Sequence, residues 1–345
     1  MSLLVIGINH KTTPVRVREK FSFTRKLIRE SLLKFKDSGF VSGTIILSTC
    51  NRTEIYLDIK EDSPASIVRG LAFAIFGAGI SEIERYFYTL QDLAAVRHLF
   101  RVASGLDSQV LGENQILAQV ESAWVVSKEI GTSSDKLDNI FKRAEEAGRI
   151  VRQETRISQG NISIGSIAIK MLKSRLGFLQ GLSALIIGAG KIGALISNYL
   201  KDEDIQGIFV ASRTYERALK IASSCGGRTA DFSNLEEELK GVDIVISSTS
   251  SPHIILKKEM LIKVMAERKK PLFIMDLALP RDVEPEVRDI EGVFLYDLDD
   301  LKCVVEENYK GRELEAASAE RIVEREVEVL LKQEMYANCP GRGVR

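Results

Sequence analysis

Two hydrophobic periods alternate along the first ninety residues. The apolar, β-branched runs 3–9 and 44–49 predict strands, and 54–59 alternates as a third. Between the first two, Leu27, Leu32, Leu33 and Phe35 recur at helical spacing over 24–38, and Gly39 closes the pattern. A second helix is expected over 64–76 and a fourth strand over 86–90. The resulting β-α-β-β-α-β order is the ferredoxin-like arrangement.

The helical period then dominates, with helices expected over 93–104, 113–129, 134–155 and 162–176. Beyond that the pattern changes again. Short apolar runs at 183–187, 207–211, 242–247 and 271–277 alternate with helical stretches, which predicts a parallel sheet with crossover helices. From Asp297 to Tyr336 there is no proline and Gly311 is the sole glycine, so one long helix is expected, ~50–60 Å in reach. Its apolar positions Leu314, Ala317, Ile322, Val327, Leu330 and Leu331 suit packing along a neighbouring domain. The chain is therefore read as an α/β multidomain protein. Residues 1–156 form a ferredoxin-like α+β domain with added helices, 157–296 a Rossmann-like nucleotide domain, and 297–345 a long helix with a frayed tail.

Composition narrows the classes. Lys+Arg and Asp+Glu both number 48, so any anionic partner must be held by a local patch rather than by net charge. No apolar run approaches the ~18–20 residues of a spanning helix, and the N-terminus lacks a signal-peptide layout. Cys50, Cys225, Cys303 and Cys339 are too scattered for a disulfide framework or a metal pattern, which makes a reducing cytoplasm the expected setting.

Gly188-Ala189-Gly190-Lys191-Ile192-Gly193 follows one expected strand and opens the next helix. In that context the G-x-G-x-x-G pattern permits a tight turn and close backbone approach to a pyrophosphate. Where an NAD site places an acid, at the end of the second strand, this chain has Ser212-Arg213-Thr214. A hydroxyl and a guanidinium suit a 2′-phosphate and point to NADP(H), the competing reading being a solvated arginine. The Ser-rich stretch 247–252 either lines the cofactor crevice or is a plain turn.

Cys225 and Cys303 read as small hydrophobes. Cys50 differs, because it lies in the polar stretch Ser48-Thr49-Cys50-Asn51-Arg52-Thr53-Glu54. A nearby cation favours thiolate, and a thiolate working with a nicotinamide suggests acyl-thioester reduction. His98 sits among Leu93, Val96, Leu99 and Phe100, where a packed helix residue is the competing explanation. Ser104, Asp107, Ser108, Gln109, Glu113, Asn114, Gln115 and Gln119 cluster between two helices as a candidate polar pocket, against a capping role for Glu113. Lys142, Arg143, Arg149, Arg152 and Arg156 are interrupted by acids and read as a solvated face.

These stretches resemble the glutamyl-tRNA reductase family. The resemblance rests on Gly7-Ile-Asn-His-Lys-Thr-Thr-Pro14, Ser48-Thr-Cys-Asn-Arg-Thr-Glu-Ile-Tyr56, His98-Leu-Phe-Arg-Val-Ala-Ser-Gly-Leu-Asp-Ser108, Gly112-Glu-Asn-Gln-Ile-Leu-Ala-Gln119, the glycine turn, and Asp276-Leu-Ala-Leu-Pro-Arg-Asp282. It implies that Cys50 attacks the aminoacyl ester of glutamyl-tRNA and that NADPH reduces the thioester to glutamate-1-semialdehyde, in porphyrin biosynthesis. Thr49, Asn51, Arg52, Ser108, Glu113, Gln115 and Gln119 fall at substrate positions, with Arg52 suited to the glutamate carboxylates. Glu54 orders the loop, and His98 becomes a site residue. The resemblance also implies a homodimer through a further helical domain. This chain stops where that domain would begin, so a dimer is left open. Asn114 stands where the family has proline, Ala118 where it has glycine, and Lys191 where an acid is common. A semialdehyde aminotransferase is a candidate partner. Two other readings stand beside the enzyme: a shortened non-catalytic paralogue that binds charged tRNA, and another NADP-dependent dehydrogenase, which leaves the Cys50 stretch unexplained.

Overall fold

The computed structural model describes residues 3–61, 63, 65–76, 84–158, 163–301 and 313–337. They fall into two compact units, one from the described residues of 1–14, 21–160 and 309–345, the other from those of 15–20 and 161–308. Cys303, Cys339, the expected tail and the first part of the expected long helix lie outside the described residues.

In the first unit β1 (Leu3–Asn9), β2 (Val41–Ser48), β3 (Arg52–Ile59) and β4 (Tyr88–Gln91) pair antiparallel in the order β2-β3-β1-β4. Helices α1 (Arg25–Ser38) and α2 (Ala65–Ile75) supply the two crossovers of the ferredoxin-like order. Thr24 caps α1 by accepting from the Leu27 N–H, and Gly39, at φ 74°, ends it. Added to this are α3 (Asp92–Ala103), α4 (Gln115–Ile130) and α5 (Asp135–Glu154). Val96, Leu99 and Phe100 of α3 meet Ile140, Phe141 and Ala144 of α5 over Val5, Ile45 and Tyr56 of the sheet, forming one continuous dry core. α4 begins two residues later than the expected 113, so Glu113 and Asn114 belong to the preceding loop.

The second unit runs α6 (Ile164–Leu176), β5 (Ser183–Ile187), α7 (Lys191–Lys201), β6 (Gly207–Ala211), α8 (Tyr215–Cys225), β7 (Arg228–Thr229), α9 (Leu235–Lys240), β8 (Ile244–Ser247), α10 (Lys258–Glu267), β9 (Leu272–Asp276) and β10 (Val293–Asp297). The sheet is parallel throughout, in the order β10-β9-β8-β5-β6-β7. The order reverses beside β5, the switch point at which such sheets bind dinucleotides. β7 and β10 are strands beyond the four expected.

Of the expected long helix, residues 297–301 form the end of β10 and a turn. Asp297 ends β10, and its carboxylate accepts from the N–H groups of Asp299 and Asp300 at 2.9 and 3.3 Å, an Asx turn that competes with helix. The helix described is α11 (Glu313–Ala337), which belongs to the first unit. Its buried stripe is Ala316, Ala319, Ile322, Val323, Val327 and Leu330, whereas Leu314 is 85% exposed and Ala317 is exposed. The stripe lies one position off the expected one at its start, because the helical period locks onto the alanines that allow close approach to α3 and α5.

Candidate functional site

The Cys50 stretch folds as the β2–β3 hairpin tip. Ser48 pairs with Thr53, the Thr49 N–H donates to the Arg52 carbonyl at 2.8 Å, and the N–H groups of Asn51 and Arg52 donate to Thr49 Oγ1 at 3.1 and 3.2 Å. The Thr49 hydroxyl thus closes the turn and leaves Cys50 and Asn51 at its apex. The Asn51 carbonyl accepts from the His10 N–H at 2.9 Å, which ties the apex to the end of β1. Cys50 is half-buried. Asn51 is 4% exposed, and its Oδ1 has no partner among the described residues.

Immediately below the apex lies a buried charge network. Arg52 Nη1 donates to Glu54 Oε1 at 2.7 Å, and Nη2 donates to Asp107 Oδ2 at 3.0 Å and to the Asp107 carbonyl. Lys11 pairs with the same Asp107. Glu54 also accepts from the hydroxyls of Tyr56 and Tyr88, each at 2.5 Å, and faces His98 Nε2 at 2.9 Å. Gly7, opposite Glu54 in the register, makes room for it: a Cβ there would sit 2.7 Å from Glu54 Cγ.

Burial alone would raise the Glu54 pKa, but Arg52, His98 and Tyr56 overcome it and hold the carboxyl well below the usual carboxylate range. Burial likewise opposes ionisation of Asp107, and Arg52 and Lys11 bring it down to about 2. A carboxylate can only accept, so His98 Nε2 carries the proton of that bond, and in the neutral ring Nδ1 is the acceptor. The His98 ring is thereby held by Glu54 as well as by helix packing.

Arg52, expected at the substrate carboxylates, is paired here with two acids of the chain itself. It is fully buried and both Nη groups are engaged by the chain's own acids, so its charge is already balanced. Tyr56, Tyr88 and Lys11 join the network without having been singled out, and Asp107, expected in the polar pocket, joins it as the second acid. Glu54 and Tyr56 are two apart on one strand, a spacing that places them on one face; the other links span long sequence separations and had no local signal.

Between α3 and α4 the loop 104–114 doubles back. Gly105 and Gly112 both adopt positive φ, and the Gly112 N–H donates to the Gly105 carbonyl at 3.0 Å. Ser108, Gln109 and Glu113 are buried, Gln115 and Gln119 half-buried, and Asn114 exposed. Burial raises the Glu113 pKa, with the Ser108 hydroxyl and Arg52 opposing. Arg152 is spent on this loop, donating to the carbonyls of Ala103, Gly148 and Glu113 at 2.7–3.0 Å. Arg149 pairs with Glu145 and Arg143 with Glu146, so these members of the basic cluster balance local acids.

In the second unit the glycine turn joins β5 to α7. The Gly188 N–H donates to the Ala211 carbonyl at 2.9 Å, and a Cβ at Gly193 would lie 2.1 Å from the Gly188 carbonyl oxygen. Gly190, the N-cap of α7, has no side chain to satisfy the first N–H groups and open space around its Cα. Ala189 and Ile192 are half-buried, and Lys191 is exposed on the first turn. That combination fits a pyrophosphate. Ser212 and Arg213 line a cavity of about 600 Å³ together with Tyr215, Ala230 and Phe232, of which the last three were not anticipated. Thr214 is the N-cap of α8 and is not among the lining residues. The Ser-rich stretch serves Asp282 instead: Ser247 Oγ, Thr249 N–H and Thr249 Oγ1 donate to it at 2.6, 2.8 and 2.5 Å.

A parallel sheet with a bare glycine turn at its switch point defines a nucleotide-dependent protein of the dehydrogenase type, here carrying a second unit with a thiol at a hairpin apex. Residues 6–155 match the family model for the N-terminal domain of glutamyl-tRNAGlu reductase, and residues 170–304 match that of shikimate / quinate 5-dehydrogenase. The glutamyl-tRNA reductase of Moorella thermoacetica is 39% identical over 335 residues, covering 96% of this chain and 76% of the relative; that of Pelotomaculum thermopropionicum is 40% identical, covering 96% and 75%. The solved glutamyl-tRNA reductase of Methanopyrus kandleri superposes with a TM-score of 0.53 at 35% identity, covering 96% of this chain and 80% of that one. The chain belongs to the glutamyl-tRNA reductase family and is an oxidoreductase of tetrapyrrole biosynthesis. No helix among the described residues is long and apolar enough to cross a membrane.

Proposed function

We propose that this chain is an NADPH-dependent reductase that takes the glutamyl group from glutamyl-tRNA onto Cys50 and releases it as glutamate-1-semialdehyde. The observation that carries this reading is the placement of Cys50: a thiol at a hairpin apex pinned by Thr49 and His10, directly above a charge-balanced network that ends in His98. The Cys50 sulfur attacks the ester carbonyl, the carbon–oxygen bond to the ribose breaks, and the ribose oxygen takes a proton as the RNA leaves. Nδ1 of His98, the ring nitrogen not engaged by Glu54, is assigned to carry that proton from the thiol. The partnerless Oδ1 of Asn51 supplies an acceptor for the substrate's α-ammonium group, with Ser108, Gln115 and Gln119 as further polar contacts.

The glycine turn and the Ser212 and Arg213 that follow β6 suit a dinucleotide with a 2′-phosphate, with Arg213 as the cation of a cavity that Asp231 and Glu238 also line. When bound, NADPH supplies the hydride that converts the thioester to an aldehyde. Cys50 leaves as thiolate and is ready for the next acyl group. The aldehyde is labile, so a cytoplasmic aminotransferase is the natural recipient.

Cys50→Ser is expected to abolish NADPH oxidation driven by glutamyl-tRNA while retaining RNA binding. Without NADPH, radiolabelled glutamate is expected to move from RNA to the wild-type chain in a thiol-labile bond. Full turnover by the serine variant, or label that stays on the RNA, overturns the proposal.

A further inference from the structure

A cleft of about 700 Å³ opens in the first unit between α1 and α4, over the end of β2. That volume lies within the range of small-ligand sites. The cleft is continuous with the candidate site, since Gln119 lines it and so does Ser48, two residues before Cys50. Two residues of extended chain span at most ~7 Å.

Its walls combine two chemistries. Ile28 and Ile46 contribute apolar surface with Val126, and Val125 on α4 stands 44% exposed. Arg25 and Arg29 are four apart on α1, hence on one face, and both are exposed on the lining. The ion pair of that helix joins Lys26 to Glu30 instead, so the two guanidiniums are not committed to it. Among the described residues Glu129 is the one acid of the lining. A single carboxylate facing two cations suits a ligand with one phosphate and a hydrogen-bond donor, such as a ribose hydroxyl or an exocyclic amine, and disfavours a polyphosphate.

We propose that this cleft seats the 3′-terminal nucleoside of the RNA, with the base against the apolar wall and its phosphate between Arg25 and Arg29. The inference rests on the aminoacyl-RNA reading of Cys50. It adds where the leaving group is held: beside the thiol, on the α1–α4 side, so that the acyl carbonyl is presented at the hairpin apex. Recognition of the RNA then needs no global positive charge, in keeping with the balance of 48 basic and 48 acidic residues.

The test uses the full chain and an uncharged RNA minihelix ending in CCA, measured by fluorescence anisotropy beside the same minihelix without its terminal adenosine. For the wild type, removing that adenosine is expected to weaken binding about tenfold, the scale of one stacked base. Arg29→Glu is expected to weaken the complete minihelix by a similar factor and to flatten its salt dependence by about one phosphate contact. Ala123→Trp, which fills the cleft, is expected to erase the difference between the two RNAs. Arg29 is exposed and Ala123 is half-buried against the core, and matched circular dichroism melts check that the variants fold. Acylation of Cys50 by a small glutamyl thioester, which has no nucleoside to seat, is expected to stay within twofold in both. If the terminal adenosine contributes nothing, or both variants bind the complete minihelix as the wild type does, the subsite is wrong while the thioester reading stands. If the wild type accepts glutamate from neither donor, the Cys50 reading itself fails.

Discussion

Two pairs of buried acids, one in each unit, are accommodated by opposite means. Glu54 and Asp107 are matched by Arg52 and Lys11, and burial is outweighed so that both stay ionised. Among the described residues Asp276 and Asp282 have no cation in hydrogen-bonding contact, Arg213 acting on Asp282 only through its charge. Asp276 accepts from the N–H groups of Ala278, Asp282 and Val283 at 2.9–3.0 Å, and Asp282 relies on Ser247 and Thr249. Burial and the neighbouring Asp282 raise Asp276 to about 7, and burial raises Asp282 despite its hydroxyl partners. Full charges hold a carboxylate ionised where dipoles only moderate its loss of water. The first arrangement suits a site that must orient an imidazole through a permanent anion. The second suits a loop brace.

The largest effect is expected from removing the cation that makes the difference. Arg52→Met leaves two buried carboxylates without their shared partner, and breaking such a pair costs about 3–5 kcal/mol. Urea unfolding followed by Trp124, the sole tryptophan and part of the first unit, measures it. A loss under about 1 kcal/mol would mean that Arg52 is a substrate ligand after all rather than the counter-charge of Glu54 and Asp107.

The same contrast gives the units opposite responses to pH. Asp107 has a folded value of about 2, below the unfolded ~3.9, so its contribution is present above pH ~4 and is lost as pH falls toward 2. Asp276 has a folded value of about 7, above the unfolded one. Its contribution is complete below pH ~4 and is lost as pH rises through 7, by roughly 2–4 kcal/mol. Pulse proteolysis between pH 4 and 8, scored by fragments of each unit, is expected to show the nucleotide unit weakening over this interval relative to the first. Equal slopes would remove the distinction.

Much of this organisation was legible before any coordinates. Periods of two and 3.6 located the ferredoxin-like order and the parallel sheet, because those periods report which face is buried. The glycine turn was legible because its geometry is local. β3 was harder: Arg52 and Thr53 are polar yet buried at its start, and the partner that makes this tolerable, Asp107, lies 55 residues away. β7 has two residues and so carries no period at all. At Asp297 a side chain caps its own neighbours and makes a turn where composition alone would begin a helix. The role of Arg52 shows the same limit. A lone arginine beside a cysteine reads as a ligand, and only tertiary contacts reveal that Asp107 shares it with Glu54.

The smallest expected effect is the sharpest probe, because it deletes a comparable neutral donor from each centre. Tyr88→Phe removes one hydroxyl from Glu54, and Ser247→Ala removes one from Asp282. A lost hydrogen bond is worth about 1–2 kcal/mol in either place. The consequences for ionisation should differ. Glu54 keeps Arg52 and His98, so it is expected to remain a carboxylate across the neutral range and the Tyr88 variant to lose some stability and turnover without a new acidic limb in its pH profile. Asp282, already raised and held by neutral groups, is expected to rise further and to take up a proton at a higher pH. Carbon-detected NMR titration of the labelled carboxyls reads both. If Glu54 protonates near neutrality once Tyr88 is cut back, the hydroxyls rather than the cation keep it charged, and His98 is oriented by a dipole network of the same kind as the one that braces Asp282.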